Sequence, residues 1–339
     1  MYFQVNILVG LILLVSNFNV SAQNERVYHE VEPELIMNLG DQGIFQPALL
    51  AVDNNGLVAI YDYGVHNLFL INTSDNSVKK IGEGSGGGPK EFSNPTDLSY
   101  DKYNEHFWLT DPQQARISVW NSSGDLVRSI SFNNASSVPV KAVPVSESTY
   151  VWQPKNYKEG VSELAISDHQ ASVKERLGRI SIKPMHARFL KEGSITADST
   201  GIYYAGYKSG FIKKFSANSG VVSTINSIED IPKPEVINRE LDIEGMKDVR
   251  VTKLNDDSVI ATLDVDVYEE KLYVLFSGST SGISKTIDVY DTQNGEYLYS
   301  YRVQDLIIRK FNIINGRVIA LSKYDDRDQL IEFPLVSSN

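Results

Sequence analysis

A chain of 339 residues with 42% apolar and 22% charged side chains has the balance of a globular protein, not a disordered one. Its net charge is −11 with no offsetting basic run, which argues against nucleic acid and anionic lipid surfaces, both bound mainly through Lys and Arg. Cys is absent, excluding disulfides, Cys-ligated zinc, a thiol nucleophile and lipid attachment at a cysteine.

The first 22 residues carry no charged side chain. Ile7 to Val15 is continuously apolar, and small residues follow at Val20-Ser21-Ala22. This is the order of a secretory signal peptide cut near Ala22, although no Lys or Arg precedes the apolar run. The run falls short of the roughly 20 residues a membrane span needs. The expectation is an exported protein, periplasmic or extracellular, with no transmembrane segment in the mature chain.

After a lead-in over residues 23–33, one motif is written twice. Leu39-Gly40-Asp41-Gln42-Gly43-Ile44-Phe45-Gln46-Pro47 runs into Leu49-Leu50-Ala51-Val52-Asp53. Ile81-Gly82-Glu83-Gly84, a Gly run and Glu91-Phe92-Ser93-Asn94-Pro95 run into Leu98-Ser99-Tyr100-Asp101. A Gly-rich loop, Phe, Pro, apolar strand and Asp thus recur about 48 residues apart, the length of a propeller blade. Within the first unit the turn Asn54-Asn55-Gly56 leads to strands over Leu57–Tyr61, Asn67–Ile71 and Ser77–Ile81, an antiparallel meander.

The second unit predicts strands over Asp97–Asp101, Phe107–Thr110, Arg116–Trp120 and Leu126–Ile130. A fainter third has Val138–Val145, Tyr150–Gln153, Ser162–Ile166 and Val173–Leu177. The fourth has Ser194–Asp198, Ile202–Ala205, Phe211–Phe215 and Gly220–Ile225. The fifth has Ile260–Val265, Leu272–Phe276, Thr286–Tyr290 and Tyr297–Tyr301. The sixth stops one strand short, after Phe311–Ile314, Arg317–Leu321 and Gln329–Phe333. Glu34–Leu39 stands where a fourth strand would, so it is expected to join the last blade and close the ring. The expected organisation is an all-β, six-bladed β-propeller of four-stranded antiparallel blades over residues 34–335, with a tail at 336–339. Residues 227–258 form an insertion between blades 4 and 5, read as a lid or partner surface because long loops are more often functional than inert.

Ala51-Val52-Asp53, Gly56, Ile60-Tyr61-Asp62, Leu109-Thr110-Asp111 and Arg116-Ile117-Ser118-Val119-Trp120 resemble the repeat of the NHL-type six-bladed propellers. Gly86-Gly87-Gly88-Pro89-Lys90-Glu91-Phe92 with Pro95 is similar to that family's connector. The whole resembles the exported NHL or TolB-like propellers of Bacteroidetes-type bacteria. The resemblance implies the fold; such propellers include binding modules, lyases and lactonases, so it assigns no activity.

Blade-to-blade connectors and second-to-third-strand loops share one end of such a ring. That face is expected to carry Asp62, Tyr63, His66, Asp111, Gln113, Arg116, Gln153, Lys155, Tyr207, Lys208, Lys323, Tyr324 and Asp325. It is the expected binding surface for a protein partner, a small molecule or a glycan. The Gly82–Gly88 stretch lacks the Lys-Ser or Lys-Thr ending of a phosphate loop and reads as a connector. His29, His66, His106, His169 and His186 lie far apart in sequence, against a His-ligated metal. Gly278-Ser279-Thr280-Ser281-Gly282 places Thr where a nucleophile elbow needs Ser. Among the carboxylates, Asp264, Asp266, Asp325, Asp326 and Asp328 read as turn and surface residues, with alternation sending Asp264 and Asp266 to one face. The alternative function is a metal-assisted lactonase or lyase. Lactonase-type propellers hold a cation such as calcium with a Glu and two Asn or Asp near the axis, and no such triad is matched here.

Overall fold

Short apolar strands punctuated by Asn, Asp and Gly turns pair here into antiparallel sheets arranged as a ring. The computed structural model describes residues 25–132, 137–155, 163–179, 186–187, 190–216, 220–243, 246–277 and 284–336. The segment expected as a leader over residues 1–22, the start of the expected lead-in, the Gly278–Gly282 stretch and residues 337–339 lie outside them.

Blade 1 comprises Pro47–Val52, Leu57–Asp62, Asn67–Asn72 and Ser77–Ile81. Blade 2 comprises Asp97–Asp101, His106–Asp111, Arg116–Asn121 and Leu126–Ser131. Blade 3 has Pro139–Pro144, Thr149–Pro154, Leu164–Asp168 and Val173–Leu177. Blade 4 has Gly193–Ala197, Ile202–Gly206, Phe211–Ser216 and Gly220–Asn226. A two-stranded hairpin, Val236–Ile243 against Met246–Leu254, lies between blades 4 and 5, within the stretch expected as an insertion. Blade 5 has Thr262–Tyr268, Lys271–Phe276, Thr286–Asp291 and Tyr297–Val303. Blade 6 has Ile307–Ile314, Arg317–Tyr324 and Arg327–Pro334 from the C-terminal end of the chain.

Glu34–Asn38 supplies the outer strand of blade 6, pairing Leu35 with Ile331 and Met37 with Leu330. The ring is therefore sealed between the two ends of the chain, and no first or last blade presents a bare edge. Packing agrees with the topology. Each blade-to-blade junction holds its own buried apolar cluster, including the closing one, where Ile319, Leu321 and Leu330 of blade 6 meet Leu50, Val58 and Ile60 of blade 1. Fully burying one such side chain contributes about 1.5–3 kcal/mol, so a sealed ring gains stability at every junction.

Three strands are absent from the sequence reading: the two of the 236–254 hairpin and one near the start of the described residues. Tyr28–Val31 adds in parallel to the outer edge of blade 5, making that sheet five-stranded. Just before it, Arg26 donates to both oxygens of the buried Asp288 at 2.9 and 3.0 Å, pairs with Glu229 and lies over the Phe276 ring. The blade 5 inner strand also runs further than expected, to Tyr268. Glu269 and Glu270 both take positive φ there (47° and 59°), which allows a two-residue hairpin turn. The third strand of blade 3 begins at Leu164, later than the sequence pattern placed it.

The recurrent Asp residues have a local cause. In blades 1, 2 and 4, where the first strand turns into the second, a carboxylate caps the turn. Asp53 Oδ1 accepts from Asn55 and Leu57 N–H at 2.8 and 2.7 Å, and Asp198 Oδ1 accepts from Thr200 and Gly201 N–H at 2.7 and 3.1 Å. These are Asx turns, and the backbone donors need that partner. In the Gly-rich connector Gly82 has φ +92°, and a Cβ there would sit 2.3 Å from the Phe92 ring. Only glycine fits that position.

Candidate functional site

Several residues expected on the connector face hold that face together. Asp62, fully buried, accepts from Gln46 N–H on the preceding connector and from Val65 N–H at 2.8 Å. Asp111 repeats the arrangement one blade on, accepting from Ser93 N–H at 2.7 Å, from Asn94 N–H, and from Gln113 and Gln114 N–H at 3.1 and 3.2 Å. Arg116 donates to the carbonyls of Gly88 at 2.9 Å and of Glu91, clamping the Gly-rich loop. The Tyr63 hydroxyl donates to the Pro95 carbonyl, and its ring packs edge-on to Tyr61 at 5.1 Å. His66 Nδ1 lies 3.2 Å from the Tyr61 hydroxyl, and the buried Gln153 amide donates to the Lys191 carbonyl. Tyr207 is half-buried, and its carbonyl accepts from Ala261 N–H at 2.7 Å. Lys323 pairs locally with Asp326 at 3.0 Å, and Lys155 and Tyr324 are exposed while Lys208 is half-buried. Asp62 and Asp111 recur as equivalents around the ring, but the set does not converge on one point.

A cavity of about 360 Å³ lies on the ring axis instead, lined by the inner strands of all six blades. Its wall includes Leu50, Val143, Ile195, Val265 and Ile313, and its rim the turn residues Asn54, Lys102 and Asn315. Those turns join first to second strands, so the cavity opens at the end opposite the connectors.

Inner strands of neighbouring blades run side by side without sharing a sheet, so their edge N–H groups need other acceptors. Asp side chains provide them. Asp97 accepts from Ala142 N–H at 3.0 Å and lies 3.3 Å from the Lys141 ammonium. Burial weighs against that ammonium, but Tyr207, Asp97 and Asp264 around it outweigh burial and raise its pKa above the ordinary lysine value.

On blade 5 the same device is doubled. Asp264 accepts from Ser194 Oγ of blade 4 at 2.8 Å, and from Lys310 Nζ and Phe311 N–H of blade 6 at 2.9 and 3.2 Å. Two residues along, Asp266 accepts from Thr196 Oγ1 at 3.3 Å, Asn312 Nδ2 at 3.4 Å, Ile313 N–H at 2.7 Å and Val267 N–H at 2.8 Å. The rungs Ser194–Asp264–Lys310 and Thr196–Asp266–Asn312 are thus stacked copies across three blades. Burial pushes the Asp266 pKa from 3.8 up to about 6, against the lowering effect of its hydrogen bonds.

Asp264 and Asp266 are therefore channel residues, not the turn and surface residues that sequence alone suggested. The available signal was the alternation Ser-x-Thr, Asp-x-Asp and Lys-x-Asn at matching places in units four, five and six. Asp264 accepts from the Lys310 ammonium, whereas the donors to Asp266 are neutral, two of them at 3.3 and 3.4 Å. Among the described residues no three His, Asp or Glu side chains converge on a metal position.

Comparison with known proteins agrees on architecture. At a TM-score of 0.57 and 13% identity, the chain is similar to a Bacteroides fragilis protein described as a candidate exported protein, over 92% of this chain and 94% of that one. It is similar to Staphylococcus aureus virginiamycin B lyase, solved with quinupristin, at 0.54 and 12%, over 90% and 99% of the two chains. A member of another domain family from Bacteroides vulgatus matches at 0.51 and 9%, over 86% and 94%. Identities this low establish the fold alone. No curated protein matches the sequence. A family model described as a 6-bladed beta-propeller matches residues 45–315, and the chain belongs to that family.

Proposed function

We propose that this protein is an exported binding module of the NHL or TolB-like type, whose small-molecule site is the axial cavity. The observation that carries the reading is the cavity itself: inner strands of all six blades line it, with polar rungs set among apolar wall residues. Small-ligand sites have this character, and the volume falls within their usual range of about 300–1,000 Å³. The leader supports export. The connector face, with Lys155, Lys208, Lys323 and Tyr324, is retained as a surface for a protein or glycan partner, and the 227–258 insertion is proposed to belong to it.

The test compares two sets of variants against any ligand that raises the melting temperature. Ala197→Trp, which fills the cavity from the blade 4 inner strand, abolishes binding. The variants Lys208→Ala and Tyr324→Ala leave it intact. The opposite pattern moves the site to the connector face. A second reading, a lactonase- or lyase-type enzyme, has one observation in its favour. A carboxyl whose pKa burial pushes up to about 6, as at Asp266, is suited to proton transfer near neutral pH. Turnover of a lactone panel that is lost in Asp266→Asn would establish it.

A further inference from the structure

The two rungs in the channel differ in one respect. Asp264 has Lys310 as its cation, at 2.9 Å, and Asp97 has Lys141, at 3.3 Å. At the position where the upper rung carries Lys310, the lower carries Asn312, and the hydrogen-bond donors to Asp266 are all neutral: a hydroxyl, an amide and two backbone N–H groups. Among the described residues lining the cavity, Asp266 is thus the carboxylate without a cation. It lies two residues further in than Tyr268, roughly 7 Å by strand rise. Val52, Val143, Ala197, Val267 and Ile314 supply apolar surface to the cavity wall, beside Tyr100 and Tyr268.

We infer that the axial cavity takes a small amine, its ammonium group set against Asp266 in the place of the cation that the lower rung lacks and its apolar stem along the wall. The inference rests on the cavity being the ligand site. The lysines nearby do not oppose it: the charge of Lys310 is matched by Asp264, and Lys102 is exposed at the rim beside the Tyr103 ring. A carboxylate ligand would meet Asp266 directly, and a neutral one would leave its charge unmatched. A hydrogen-bonded charge pair in a site of this kind is worth on the order of tenfold or more in affinity.

The probes are hexylamine, 1-hexanol and hexanoate, alike in chain length and different in head group. Each is titrated calorimetrically into the full chain at about pH 8, where hexylamine is cationic and Asp266 ionised. Hexylamine is expected to bind at least about tenfold tighter than 1-hexanol, with hexanoate weakest. Asp266→Asn should bring the amine and the alcohol level. Asn312→Lys, which copies the upper rung and so gives the lower one its own cation, should cost hexylamine about tenfold or more while 1-hexanol is unchanged. Ala197→Trp should abolish binding of every probe. If 1-hexanol or hexanoate equals the amine, or if Asn312→Lys leaves hexylamine binding intact, the amine class is overturned and the cavity reading stands. Failure of all three probes also overturns the amine class. If the probes bind but Ala197→Trp makes no difference, the cavity reading falls as well.

Discussion

Replacing Asp111 with Ala separates a structural carboxylate from a ligand-binding one. Asp111 is 2% exposed and accepts four backbone N–H groups, two from the incoming connector (Ser93, Asn94) and two from its own turn (Gln113, Gln114). Asn94 and Gln113 are exposed, so water replaces the lost acceptor for them. Ser93 and Gln114 are only partly exposed and lose a charged partner with less access to water. At about 1.5 kcal/mol for each of those two, Asp111→Ala should cost about 3 kcal/mol of unfolding free energy. Urea denaturation followed by far-UV circular dichroism measures it. The transition midpoint should fall with the slope unchanged, and Lys80→Ala, on the exposed outer strand of blade 1, should move it by less than about 0.5 kcal/mol. A loss below about 0.5 kcal/mol for Asp111→Ala would refute the capping role and return the residue to the binding candidates.

Ring closure predicts that Leu39→Ala, which empties a fully buried site in the blade 6 to blade 1 cluster, costs about 2–5 kcal/mol in the same assay. An equal cost from truncating the exposed Val127 would remove that argument. The Asp266 pKa gives a pH dependence whose sign is fixed. The unfolded carboxyl loses its proton near 3.8, while the folded one keeps it up to about 6. Its contribution is therefore fully present below 3.8 and is lost as pH rises through about 6. Wild type should lose stability relative to Asp266→Asn across that window, and parallel curves would contradict it. His169 works in the other direction. Burial and then Arg128 lower its pKa below 6.5, so stability should fall as pH drops below that value, less steeply in His169→Gln.

The blades were legible because their punctuation is local. Asn-Gly, Asp-x-x-Gly and similar turns act within a few residues, and a sixth unit lacking a strand pointed to Glu34–Leu39 as its partner. Tyr28–Val31 was not legible, because a short parallel strand has no hairpin turn to announce it. The site was hard for a related reason. Asp62 and Asp111 have the residue type of a binding site, and only the returning connector reveals that their oxygens are taken. Asp264 and Asp266 look like surface acids until ring order brings Ser194, Thr196, Lys310 and Asn312 beside them. Their partners belong to other blades, a relation that periodicity within a strand does not encode.

The account turns on a carboxylate at the ring axis that lacks a cation and is offered one by a ligand. A crystal structure of the protein grown with hexylamine tests this most directly. The expected result is the amine nitrogen within about 3 Å of an Asp266 oxygen, with the carbon chain running toward Asn54 and Asn315. An amine seated on the connector face, with the axial cavity holding only water, would contradict it.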